Sequence, residues 1–119
     1  MNDSKVGQTI QILFDNEAWL RRMKFEIPAE RLDFFPRDAL GARGKDDEDK
    51  YPHRGQTVEF DYGVTKSVCD IATRKSGVMR PRDNTGMRKF IDENKVALGD
   101  VVTITCIASH RYKVSLAKR

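Results

Sequence analysis

The chain of 119 residues carries 22 basic and 18 acidic side chains, a net charge of +4 and a pI near 9.2, with 39% hydrophobic residues. That length suits a single domain over residues 1–119 with its own core, and no apolar run approaches the ~18 residues of a membrane-spanning helix. The polar start MNDSKVGQT lacks the apolar stretch of a secretory signal, and Cys69 and Cys106 form no close pair, so a cytoplasmic or nucleoid-associated protein with buried thiols is expected.

In chain order, TIQILF (9–14) places Ile10, Ile12 and Phe14 on one face, which is the period of a strand. DNEAWLRRM reads as a polar turn in which Trp19 packs on the core edge. KFEIP (24–28) alternates through Phe25 and Ile27 like a second strand, and AERLDFF reads as a short helix stopped by Pro36. ARGKDDEDKYPHRG (42–55) mixes both charge signs with glycine and proline. It is expected to be a mobile loop whose four consecutive acids repel polyanions.

VEFDYG (58–63) and SVCDIAT (67–73) alternate again, with GVTK between them suiting a hairpin. A basic segment, ATRKSGVMRPRDN (72–84), follows. TGMRKFIDENKV then places Met87, Phe90 and Ile91 on one helical face, with Thr85 as candidate N-cap. ALGDVVTITCIA (97–108) and YKVSLA (112–117) close the chain as strands about a turn at Ser109–His110–Arg111. About six or seven short strands with two short helices argue a mainly β barrel or sandwich with helices at its ends.

Catalytic and metal chemistry find little support. Zinc ligands arrive as close pairs, and Cys69, Cys106, His53 and His110 form none, so no metal or other cofactor is expected. Glu59, Asp61 and Asp70 on strand faces, with Lys75, could be read as a Mg²⁺ nuclease site. The surroundings of such a site are absent, and acids on the wet face of antiparallel strands normally solubilise. Neither histidine lies in a nucleophile motif, and Gly77, Gly86 and Gly99 make no phosphate-cradling loop.

The basic residues bunch instead. Arg74, Lys75, Arg80, Arg82, Arg88 and Lys89 fall within sixteen residues opposed by Asp83 alone, and Arg21, Arg22 and Lys24 form a second cluster. Arginine presents a planar fork that grips phosphate or reads guanine O6 and N7, while lysine offers a less directional charge. Ser76 and Asn84 add hydrogen-bonding capacity. Gly77 permits close backbone approach, and Pro81 stiffens the segment.

The order of motifs resembles the plant B-three-type DNA-binding domain and its bacterial relatives, the effector or target-recognition domains of restriction endonucleases. The matching residues are Ile27–Pro28 entering a short helix, then Phe90, Asn94–Lys95–Val96 and Leu98–Gly99–Asp100–Val101–Val102, and the likeness spans roughly residues 9–116. Gly86–Met87 stands where plant members commonly have Gly-Trp.

The resemblance implies a seven-stranded open pseudobarrel that clamps the DNA major groove with two arms. These arms correspond here to residues 15–24 and 73–84, the two basic clusters already found. The expected function is non-catalytic, sequence-specific binding of double-stranded DNA by a monomer, as the recognition domain of a restriction endonuclease, working with a nuclease domain or subunit, or as a transcription regulator. Arg21, Arg22 and Lys24 would serve the first arm, and Arg74, Lys75, Ser76, Arg80, Arg82 and Asn84 the second. The competing readings are a swapped-hairpin antitoxin-type barrel and an adaptor or inhibitory module whose basic arms meet an acidic protein.

Overall fold

The computed structural model describes residues 5–117. It contains eight strands: β1 (Thr9–Phe14), β2 (Leu40–Ala42), β3 (Val58–Asp61), β4 (Lys66–Cys69), β5 (Ile71–Thr73), β6 (Met79–Pro81), β7 (Asp100–Ala108) and β8 (Arg111–Leu116). Two α-helices, α1 (Glu17–Arg22) and α2 (Asn84–Glu93), and 3-10 turns at Ala29–Phe34, Arg37–Ala39 and Lys45–Asp47 complete it. The expected mainly β open pseudobarrel is what forms, with eight strands rather than seven.

The strands make a five-stranded sheet in the order β1-β7-β8-β3-β4 and a three-stranded sheet in the order β2-β5-β6. Both sheets are mixed, because β3 runs parallel to β8 and β2 parallel to β5. Among the described residues neither sheet closes on itself, so the barrel is open at its edges.

The alternation read from the sequence drives this arrangement. In β1 the even residues Ile10, Ile12 and Phe14 are buried and the odd ones exposed, and β7 and β8 repeat the pattern. An aromatic cluster packs the segment around Phe34–Phe35 on the five-stranded sheet. Phe35 meets Tyr112 edge-on at 5.1 Å between ring centres, and Phe60 stacks on Tyr112 at 5.7 Å. Each buried large apolar side chain contributes about 1.5–3 kcal/mol, so these rings hold the 3-10 segment against the sheet.

At Gly99–Asp100 the backbone explains the motif. Gly99 adopts φ +96°, a left-handed conformation that favours glycine, and the Asp100 carboxylate accepts the Ala97 N–H at 2.9 Å. The chain enters β7 from that turn.

Several expectations change. DNEAWLRRM is a capped helix, not a turn: the Asn16 side chain accepts from the Ala18 and Trp19 N–H groups at 2.8 and 3.3 Å. KFEIP forms only an isolated bridge, Ile27 to Met79. AERLDF is 3-10 rather than α. SVCDIAT breaks at Asp70 into β4 and β5, which belong to different sheets. Asp83, not Thr85, caps α2. Segment 42–55, expected as a loose loop, is anchored instead: Tyr51 and Asp47 are buried, and Ala42 N–H donates to Pro52 O at 2.7 Å. Trp19 packs edge-on against Phe14 at 5.8 Å, as expected.

Candidate nucleic-acid interface

The first basic segment is positioned from β1. Once Phe14 is buried, Asn16 starts α1, and the Trp19 ring fastens that helix to the core, leaving Arg21 and Arg22 exposed in its last turn. Cations at that end also suit the helix dipole. Met23 stops the helix in a left-handed conformation at φ 56°, and the chain turns through Lys24 toward Ile27.

The second segment is a short hairpin. β5 and β6 pair from Ile71↔Pro81 to Thr73↔Met79, and the tip is closed by Arg74 N–H to Val78 O at 2.9 Å and Gly77 N–H to Arg74 O at 2.8 Å. Gly77 takes φ +97°, and a Cβ there would lie 3.0 Å from the Ala29 side chain, so the tip rests on the 3-10 turn that follows the first segment.

The two segments meet at one place. Ile27 N–H donates to Met79 O at 2.7 Å and Met79 N–H to Ile27 O at 3.0 Å, which lays residues 24–28 beside β6. Lys24 and Arg80 consequently sit around one carboxylate, Glu26, at 3.8 and 4.0 Å, with Arg43 closest at 2.7 Å. Burial, followed by the charge of Arg80, holds the Lys24 ammonium below its ordinary pKa. Burial and then Arg43 lower Arg80 likewise. These like-charge effects record cations from three chain segments crowded on one face.

Between the segments lies an open, mainly apolar cleft of about 280 Å³, lined by Leu13, Trp19, Glu26, Pro28 and Val78 among others. Leu13 is 52% exposed on its wall.

The expected site residues therefore divide. Arg21, Arg22, Arg74 and Ser76 are exposed, and no salt bridge holds the three arginines among the described residues. Lys75 is exposed but lies 3.3 Å from Asp49, and its backbone is tied down: its N–H donates to Asp47 Oδ1 at 2.9 Å, and its carbonyl accepts from Lys50 Nζ at 3.3 Å. Lys24 and Arg80 are half-buried around Glu26.

Arg82 is engaged inside. Its Nε and Nη2 donate to the buried Asp70 carboxylate at 2.5 and 3.0 Å, and Nη2 also donates to Ala42 O at 2.7 Å. Asn84 is exposed at the first turn of α2, beyond the hairpin. Asp70 and Lys75, considered together for metal chemistry, are each held by other partners. Among the described residues no group of three His, Cys, Asp or Glu side chains is placed to hold a metal ion.

Two members were missed in the sequence. Glu26 is the polar residue between buried Phe25 and Ile27, and the alternation signalled its outward direction but not its role as a hub. Arg43 sits in a charged stretch without periodicity, so nothing local marked it.

No known family profile matches this chain, and no curated protein resembles it significantly in sequence. Solved structures do share its fold. A hypothetical protein of Arabidopsis thaliana superposes with a TM-score of 0.56 at 15% identity, over 97% of this chain and 94% of its own. The N-terminal domain of Helicobacter pylori LlaJI.R1 superposes with a TM-score of 0.54 at 14% identity, over 93% of this chain and 88% of its own. At such identities the likeness is one of fold. No helix among the described residues is long and apolar enough to cross a membrane.

Proposed function

We propose that this chain binds double-stranded DNA in a sequence-dependent manner, without catalysis, using its two basic segments as the sides of a clamp on the major groove. The observation that carries this reading is the Ile27–Met79 bridge, which gathers basic residues distant in sequence onto one face. The shared fold with a domain of a restriction-related protein supports it.

Within this reading the side chains have different tasks. Arg21, Arg22 and Arg74, exposed and unpaired with acids, reach phosphates and guanine edges, and Lys75 and Ser76 contact the backbone from the hairpin tip. Lys24 and Arg80 contribute field from around Glu26, and the Leu13–Trp19 wall suits sugar and thymine-methyl contact. Arg82 moves from DNA contact to holding the base of the hairpin, and Asn84 approaches a flanking phosphate.

Selection from a pool of random duplexes should enrich a short common sequence. Arg21→Ala and Arg74→Ala should each weaken binding to it by ~1–3 kcal/mol if they read a base. Absence of enrichment, with retention that ignores salt, contradicts the proposal.

A further inference from the structure

We propose that a second, polar cleft on segment 42–55 takes a backbone phosphate of the bound duplex, a contact outside both arms; this rests on the DNA-binding reading above. The cleft has a volume of about 460 Å³ and is lined by Arg43, Lys45, Glu48, His53, Arg54 and Arg82 among others. In the sequence this segment repelled polyanions, because four acids follow Lys45.

In the folded chain most of these acids are engaged by partners. Asp47 accepts the Gly44 and Lys75 N–H groups at 3.0 and 2.9 Å. Glu48 lies 2.9 Å from His53 Nδ1, and Asp49 lies 3.3 Å from Lys75 Nζ. Only Asp46 has no such partner among the described residues.

The cations divide in the opposite sense. Arg43 is compensated by Glu26, and Arg82 by Asp70. Lys45 and Arg54 are exposed, and neither makes a salt bridge among the described residues; Arg54 donates only to the His53 carbonyl, at 2.9 Å. Lys45 and Arg54 thus line the cleft as cations without an acid of their own, against the single lining carboxylate of Glu48.

A separate feature points to an oxygen ligand. Arg43, whose side chain is only 8% exposed, keeps its Nε without a hydrogen-bond partner among the described residues. Arg43 lines the cleft, so a phosphate oxygen entering there comes to a guanidinium whose buried Nε donor is still unfilled. Arg43 also touches Glu26, around which Lys24 and Arg80 sit, so the cleft continues the basic face rather than standing apart from it.

The test compares the parent with a Lys45→Ala/Arg54→Ala double variant on the duplex enriched by selection. The variant should bind about threefold to tenfold more weakly at moderate salt, with the slope of log affinity against log salt shallower by one to two. Its preference for the enriched sequence over a scrambled duplex should be unchanged. Ethylation of one phosphate flanking the arm footprint should weaken the parent and have no further effect on the variant. Equal thermal midpoints check that both are folded, as expected for exposed side chains.

A variant with the parent's affinity, slope and ethylation pattern overturns the cleft contact while leaving the two-arm reading intact. A parent that binds no duplex overturns both.

Discussion

Arg82 and Asp70 set the geometry of the hairpin base through a charge pair that is mostly withdrawn from solvent. Asp70 is 4% exposed and accepts from Gly55 N–H at 2.8 Å besides the two guanidinium donors. Removing the arginine leaves a buried carboxylate short of its cation, and truncating one partner of such a pair costs about 3 kcal/mol. Arg82→Ala should therefore lower the stability measured by denaturant unfolding by that order, whereas Arg74→Ala should leave it nearly unchanged.

Asp47 acts by a related route. The Lys75 N–H, then the Gly44 N–H and the nearby Arg74 and Lys75 charges, hold its carboxyl below the ordinary 3.8 despite partial burial. A depressed carboxylate contributes stability above its unfolded pKa and loses it as pH falls through the folded one. The tether on the hairpin tip should thus be complete at neutral pH, begin to lose its contribution below about pH 4, the ordinary carboxylate value, and be gone only once pH falls through the depressed folded value. The protection of the Lys75 amide from exchange, relative to its intrinsic rate at each pH, should fall in that acid range, and in Asp47→Asn it should already be lower at neutral pH.

At the scale of elements, α2 shows how a helix is seated by an absent side chain. Gly86 lies on its buried face, where a Cβ would collide with the Tyr62 ring, itself 2% exposed. Glycine to alanine in an open helix stabilises by up to about 1 kcal/mol. Here overpacking against a buried ring outweighs that gain, and Gly86→Ala should destabilise by about 1–3 kcal/mol in thermal or denaturant unfolding.

The same elements show what could be read from residue order alone. β1, β3, β7 and α2 were legible because their own apolar periods match the faces they bury. The Gly99–Asp100 turn was legible because its conformation calls for glycine. α1 was not, since six residues carrying Trp19 and Leu20 give too short a period to separate helix from turn. Nor was the break at Asp70 visible: Cys69 and Ile71 continue the alternation across it, and the bend depends on Arg82, twelve residues away. Segment 42–55 looked loose because its charges were counted without their partners, and those partners come from β5, the hairpin tip and Glu26. The basic clusters were visible as composition, but the division into exposed Arg21, Arg22 and Arg74 and engaged Arg82 required the fold.

On the scale of the whole molecule, two sheets open at their edges present one crowded basic face. That face joins α1, the residues around Glu26 and the β5–β6 hairpin, with an apolar cleft of about 280 Å³ between the arms. Glu26 lets the cations approach one another without full repulsion, and it orients them rather than cancelling them, since Arg43, Lys24 and Arg80 all share it. In the proposed function the two basic segments act together on one duplex. The affinity for the selected duplex, measured across a salt series for the parent, Arg21→Ala, Arg74→Ala and the double variant, tests this. Each single change should weaken binding and flatten the salt slope by about one where a phosphate is lost, and the double variant should retain little preference for its sequence. Parent-like affinity and selectivity in the double variant would contradict it.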